Sequence, residues 1–492
     1  MSHKRILFRP PGGWVGDVIP YFWDDTFWLF YLHETRTGMR DDGTSWHLAT
    51  TRDFIDFDYR GEALPHGDFD EQDLHAYTGS VVFDGESHHL FYTGYNPNIV
   101  DAETGQPLQA VMHAISVSLS SWKKIPEDTF YAPRDAYDPA DWRDPFVYRT
   151  PGADGWSMLL AARVRTGPER RRGCIARLVS PDLRTWSVVE PLYSPSRFVT
   201  HECPDLFREG QWWHLIYSEF SERFTVRSHS SRDPGGPWLT SGQDDLDGRG
   251  FYAAKTASDG RQRYAFGWMP TKLGLADDGD WEWAGDLVVH EVVSRRDGSL
   301  ASRMPDSLRK SLGTESPLPA PQPVLGQWNV EPGKLSASAM SGFSSMYLGT
   351  LPARCRLAAT AHVSAGTREC GLILRASDDC DAGYFVRLEP YRRRLVFDRW
   401  PRKVPGRYQW EIGGEMAHTV ELERILPTSA SGTWELELLI DDTACVTYIN
   451  GMVAMSTRMY DRRTGGLGLF VGDGAVTFTG VSVFTHGEEA AA

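Results

Sequence analysis

Five aromatic-rich strand segments recur along the first half of this chain, and no other feature restricts its fold as strongly. They read FWLFYLHE at Phe27–Glu34, HHLFYTGY at His88–Tyr95, WSMLLAAR at Trp156–Arg163, WWHLIYSE at Trp212–Glu219 and RYAFGWM at Arg263–Met269. Their spacing of roughly 50 to 70 residues is that of a four-stranded propeller blade. Several are followed by an alternating strand that runs into a polar turn and then a Trp or Phe, as in LATTRDFIDF, AISVSLSSWKK and ARLVSPDLRTWSVV. Each unit reads as a short antiparallel sheet, so the repeat predicts a five-bladed β-propeller. Coincidental spacing within one long β-sandwich is the alternative. The 18 Trp, 19 Tyr and 23 Phe favour an all-β protein, because aromatic side chains suit pleated, half-buried surfaces, and they also suit sugar stacking.

At 492 residues the chain exceeds what one hydrophobic core usually supports, so a second domain is expected. The character changes beyond Arg303, and Gly313–Trp328 (GTESPLPAPQPVLGQW) carries four prolines that favour an extended connector. From there to Thr485 alternating strands return, including RCRLAATAHV, AGYFVRLEP and TWELELLID. That pattern predicts a β-sandwich. The expected organisation is a propeller over residues 1–312 carrying any catalytic site, a Pro-rich linker at 313–327, a sandwich at 328–486 and a disordered tail at 487–492.

Lys plus Arg total 51 against 66 Asp plus Glu, a formal charge of -15, which disfavours nucleic acid and suits a neutral small molecule or oligosaccharide. The N-terminal MSHKRILFRPPGGW lacks the apolar stretch of a secretory signal, and no long apolar run offers a membrane span. Six cysteines stand scattered without C-x-x-C spacing, which points to neither a zinc site nor a disulfide scaffold and fits a reducing cytoplasm. His66 and His75 lie among acids in HGDFDEQDLHAY without zinc-ligand spacing, so neither metal nor other cofactor is expected. The sequence leaves room for a homo-oligomer.

Three acids carry the chemistry. Asp17 sits in GWVGDVIPYF ahead of the first apolar strand, Asp144 in WRDPFVY ahead of the third, and Glu202 in HECPDLF ahead of the fourth. Taken singly, each has a plainer reading as a turn or strand-start residue. In a propeller, however, inner strands of different blades point toward one axis, so acids far apart in sequence can meet there. Two convergent carboxyl groups are what glycoside cleavage requires: a proton donor for the leaving oxygen and, in the retaining mode, a nucleophile about 5 to 5.5 Å away.

These motifs resemble glycoside hydrolase family 32, the invertase, inulinase and levanase group. The family's W-M-N-D-P-N-G corresponds to Trp14–Pro20, its R-D-P to Arg143-Asp144-Pro145, and its E-C-P-D-L-F to Glu202–Phe207. Further matches are WHLATTRDF at Trp46, TGSVVFDG at Thr78, GFYAAKT at Gly250, GWM at Gly267 and WAGDL at Trp283, and the C-terminal part resembles the family's sandwich module. The resemblance implies a retaining β-fructofuranosidase acting on sucrose, fructooligosaccharides or fructans. Asp17 would attack the anomeric carbon, Glu202 would act first as acid and then as base, and Asp144 would bind ring hydroxyls with Arg143 orienting it. Trp14, Trp46, Ser80, Tyr252 and Trp283 would line the sugar pocket. A nucleophile must be ionised and a proton donor protonated, so the surroundings of Asp17 and Glu202 are expected to push in opposite directions.

The chain departs from the family around the nucleophile, where Gly16 replaces the Asn before the Asp and Val18-Ile19-Pro20 replaces Pro-Asn-Gly; Leu32 also stands where a Gln is usual. Missing amide partners can change specificity by orders of magnitude, so another furanoside, such as an arabinofuranoside, or transfer to a second sugar are alternatives. SPDLRTW at Ser180 resembles a sialidase Asp-box turn but lacks its Gly. An inactive carbohydrate-binding protein is the non-enzymatic alternative.

Overall fold

The computed structural model describes residues 5–36, 43–149, 154–401 and 422–486. The chain is all-β, a five-bladed β-propeller followed by a β-sandwich, as the repeat predicts. The five blades begin with the strands Trp14–Trp23, His75–Phe83, Tyr137–Tyr148, Glu202–Glu209 and Tyr252–Ser258, and each pairs antiparallel with the strand after it. These five first strands neighbour one another in a closed ring around the axis. The first and fifth blades also join edge to edge where Val15 meets Gly285.

The apolar segments that announce the repeat are therefore the second strands of their blades, one step out from the axis. In the fourth blade Trp212–Glu219 is buried at every position. A strand covered on both faces by neighbouring blades needs apolar side chains throughout. The innermost strand lines the axis and is free to carry polar groups, which is why the acids lie on it and not merely ahead of an inner strand.

The C-terminal part forms a second, larger sheet system in which the 20-residue strand Gly466–Thr485 pairs with Lys334–Thr350, Arg354–Val363 and Glu369–Ala376. Its core is aliphatic, with Leu357, Leu372, Val386, Leu438 and Leu469 all buried. The segment expected as a linker is partly built into this sheet. Thr314–Ser316 pairs with Val483–Thr485, and Gln322–Leu325 pairs with Ser345–Tyr347. Pro317, Pro319 and Pro321 lie between the two paired stretches, and Pro323 is accommodated because Gln322–Leu325 runs at a sheet edge, where a missing N–H costs little. A short helix, Asp306–Ser311, precedes it. The tail at 487–492 lies outside the described residues.

The two parts share a continuous core in which Leu439, Val446, Tyr448 and Ala454 of the sandwich pack with propeller residues such as Phe251 and Val288. Buried polar ties cross the same seam. Asp286 of the fifth blade accepts from Arg458 Nη1 at 2.6 Å and from Arg9 Nε at 2.7 Å. His290 bridges Asp247 and the Tyr448 hydroxyl at 2.9 and 3.0 Å. All six cysteines are buried. Among the described residues no helix is long and apolar enough to cross a membrane.

Candidate active site

Every innermost strand carries a bulge of one extra residue, with a further irregularity between Tyr137 and Trp142 in the third, and the three acids sit at or beside these bulges. The register slips between Gly16 and Val18, Tyr77 and Gly79, Arg143 and Phe146, Glu202 and Asp205, and Tyr252 and Lys255. A bulge interrupts ladder pairing and re-aims a side chain. Asp17 and Thr78 are themselves the inserted residues of the first and second blades. In the third, fourth and fifth blades the slip is made with positive φ at Asp144 (58°), Cys203 (50°) and Ala253 (51°). Non-glycine residues adopt that region at a cost, typically where surrounding structure fixes a functional geometry.

Each carboxylate is held by donors from other blades. Asp17 Oδ2 accepts the Thr78 hydroxyl at 2.8 Å, and Oδ1 accepts the Trp268 indole N–H at 3.0 Å. Asp144 Oδ2 accepts the Cys203 backbone N–H at 2.9 Å, while its own N–H donates to Thr93 Oγ1 at 2.8 Å. Glu202 takes Arg143 Nη2 on Oε1 at 3.1 Å and the Tyr252 hydroxyl on Oε2 at 2.6 Å. Arg143 also pairs with Asp141 and places its Nε 3.9 Å from Asp144 Oδ2. The Tyr252 ring stacks on Phe224 with centroids 3.9 Å apart, and Trp268 meets Trp283 edge-on.

The acids lie within reach of one another's charge. Burial is the largest influence on all three and pushes each carboxyl above the ordinary range. Glu202 raises Asp17 further, Asp17 raises Asp144, and Asp144 raises Glu202. Thr78 and Trp268 oppose the shift at Asp17, and Arg143 opposes it at Asp144 and Glu202. Asp17 and Glu202 thus shift in the same direction, contrary to the opposite shifts the sequence suggested. Both lie in one desolvated pocket, where the charge of Glu202 disfavours ionisation of Asp17.

Of the expected pocket residues, Arg143 and Tyr252 contact Glu202 directly. Trp283 is 40% exposed, and its ring fills the space beside Gly16, where an added Cβ would lie 2.2 Å from Cη2. Trp14 lies under Arg9, whose guanidinium is 3.7 Å from the ring centroid. Trp46 and Ser80 have other surroundings. Trp46 is fully buried at 0% exposure, with its N–H shared between the Ala76 and Tyr77 carbonyls, and Ser80 Oγ accepts the Val147 N–H at 2.9 Å. Both tie adjacent blades together, and sequence matching alone does not separate such braces from wall residues. Conversely, Thr78, Thr93, Trp268 and Phe224 were given no role on sequence. Thr78 and Trp268 fall within the TGSVVFDG and GWM matches, but their contacts with Asp17 cross 61 and 251 residues of chain.

Residues 8–300 match the model of the Glycosyl hydrolases family 32 N-terminal domain. The chain is 21% identical over 504 residues to a levanbiose-producing levanase of Bacillus subtilis (strain 168), covering 97% of this chain and 89% of that one. It is 25% identical over 311 residues to an invertase of Wickerhamomyces anomalus, covering 58% and 53%. Among solved structures, an exo-inulinase from Aspergillus awamori superposes with a TM-score of 0.73 at 15% identity over 99% of both chains. A sucrose-6-phosphate hydrolase from Lactobacillus gasseri superposes with a TM-score of 0.72 at 17% identity, over 98% of this chain and 93% of that chain. The family match spans more than half of the chain and contains all three acids, so this protein belongs to glycoside hydrolase family 32 and is a glycoside hydrolase.

Proposed function

We propose that this enzyme hydrolyses β-fructofuranosides with retention, using Asp17 as nucleophile, Glu202 as acid and base, and Asp144 as transition-state stabiliser. The observation that carries the reading is the convergence of the three acids on innermost strands around one axis, each fixed by hydrogen bonds from another blade. The levanase and invertase relatives supply the substrate class.

In the first step Asp17 attacks the anomeric carbon as the glycosidic bond breaks, and Glu202 gives its proton to the departing oxygen. The product is a covalent fructosyl–Asp17 ester. In the second step Glu202, now anionic, takes a proton from water, whose oxygen attacks the same carbon and releases Asp17. The two inversions leave the β anomer. Thr78 and Trp268 favour the Asp17 anion by hydrogen bonding, and Arg143 with Tyr252 steadies Glu202 as it gains charge. Asp144 stands where a carboxylate stabilises developing positive charge on the ring. Trp14, Trp283 and Tyr252 form the aromatic wall, and residues 1–312 act as the catalytic unit with the sandwich at 328–486 as its brace.

Proton NMR of the enzyme with sucrose, short inulin and levan tests this reading. The expected result is free fructose appearing first as β-fructofuranose, with release lost in Asp17→Asn and Glu202→Gln. First release as the α anomer would replace the retaining mechanism with an inverting one, and no release from any of the three would remove fructosides as the substrate class.

A further inference from the structure

Lys255 lies on the innermost strand of the fifth blade, three residues after Tyr252, and is only 2% exposed. Its Nζ is buried without a hydrogen-bond partner. The Phe146 ring lies 5.5 Å from it. Leaving an ammonium in such surroundings is costly unless opposite charge is near, so an unpartnered buried lysine calls for a reason beyond packing.

The reason lies in what faces it. Around the axis stand Asp17 from the first blade, the neutral Thr78 and Thr93 from the second, Arg143 and Asp144 from the third, Glu202, Cys203 and Asp205 from the fourth and Tyr252 from the fifth, with Arg263 near Asp205. Asp205 is itself buried and held by the Thr256 N–H and hydroxyl at 2.6 and 2.7 Å. Asp141 sits between Arg143 and Arg163, so Arg143 is not free to neutralise the acids by itself. Arg263 is shared between Asp205 and Glu209, and Arg163 between Asp141 and Glu169, so beside Arg143 the cation placed to offset Asp17 and Asp144 is Lys255. Burial is the largest influence and holds the ammonium below the usual lysine value, against the upward pull of Cys203, Asp144, Asp205 and Asp17.

We propose that Lys255 is a positioning residue for the reaction, its buried ammonium supplying the second positive charge that lets Asp17 and Asp144 stand ionised together under the sugar ring. This rests on the assignment of the three acids given above. The ammonium touches neither substrate nor reacting atoms, and it acts through the field it places behind Asp144 and Asp17. Because its partners are charges and not hydrogen-bonding atoms, a side chain of similar length without charge keeps the packing and removes only the field.

The test is Lys255→Met in the full chain, with kcat/KM for a neutral fructoside followed against pH and unfolding followed by heat. We expect kcat to fall about a hundredfold at neutral pH with KM little changed, the acid limb of the profile to move up by about one pH unit or more, and the melting temperature to change little, since the side-chain volume is kept. An unmoved acid limb, or a loss of activity that simply tracks a fall in melting temperature, overturns the proposal. Should the variant not fold, lysine Cε labelled with 13C in the unaltered enzyme decides: Lys255 must stay an ammonium across the pH range of activity, and a neutral amine there overturns the proposal. Activity surviving Asp17→Asn would instead remove the acid assignment on which the proposal rests, so the two failures are distinguishable.

Discussion

The Tyr252 hydroxyl and Glu202 Oε2 are 2.6 Å apart, a contact made from the fifth blade to the fourth. Because the hydroxyl donates, it favours the anionic form of Glu202, opposing the burial that raises this acid. In the Tyr252→Phe variant Glu202 should keep its proton to higher pH. The basic limb of kcat/KM should therefore move upward, while kcat falls about tenfold or more because the anion formed after the first step loses a donor. A pH–rate profile measures both. A basic limb that stays put or moves down would show that Tyr252 does not tune Glu202.

Restoring the family's amide beside the nucleophile should fail unless Trp283 is removed as well. A side chain at Gly16 meets the Trp283 ring, so Gly16→Asn should cost about 1–3 kcal/mol of stability through overpacking and disturb Asp17 next to it. Trp283→Ala opens that space. In the double variant much of the penalty should disappear, giving a coupling of about 0.5–3 kcal/mol in a double-mutant cycle by thermal denaturation. Strict additivity would mean that the ring swings aside freely.

The same pair of residues shows how much of the site was legible in the chain. Arg143-Asp144-Pro145 and Glu202-Cys203-Pro204 could be read because each motif contains its acid and the residues of its bulge consecutively. The five-blade repeat was legible through its fully buried second strands, whose apolar runs are local in sequence. These stand out more than the innermost strands, so the sequence locates each acid ahead of an apolar strand without revealing that it lies on a strand of its own. What sequence could not supply is contact across blades. Thr78 and Trp268 reach Asp17, Lys255 faces Asp144, and Trp283 occupies the vacancy at Gly16 only once the ring of blades closes. Trp46 shows the converse, since an indole that braces two blades and one that walls a pocket look alike in a motif.

The seam between propeller and sandwich should be sensitive to loss of Asp286. Its carboxylate is buried against Arg458, itself 3% exposed, and Arg9. Burial alone would raise Asp286, but Arg458 and Arg9 outweigh it and hold the carboxyl below its usual value. A depressed folded-state value means that the pair contributes stability above the unfolded carboxylate value, about 3.9, and loses it as pH falls through the folded value. Asp286→Asn should cost about 3–5 kcal/mol at neutral pH, because it leaves the Arg458 guanidinium short of its counter-charge. Its acid-unfolding curve should also flatten below about pH 4 relative to the unaltered chain. Chemical denaturation at two pH values tests this, and an equal loss at pH 7 and at about pH 3 would contradict it.

Neutralising Asp17, the proposed nucleophile, should stabilise the protein while disabling it. Asp17 carries a raised carboxyl value for which burial is the main cause, with Glu202 adding repulsion. An acid whose folded-state value lies above its unfolded one binds its proton more tightly when folded, so its ionisation at neutral pH opposes folding. That opposition vanishes as pH falls toward the unfolded value, about 3.9. Asp17→Asn keeps the shape and can still accept from Thr78 or Trp268, yet it carries no charge for Glu202 to repel. The expected outcome is a melting temperature higher than that of the unaltered enzyme at pH 7, a smaller difference at about pH 4, and kcat reduced by a factor of about a thousand or more. A structural acid held in place by its donors would behave in the opposite way, since its removal would lower the melting temperature most at neutral pH. The sign of that temperature shift separates a carboxylate kept charged for chemistry from one kept for the fold.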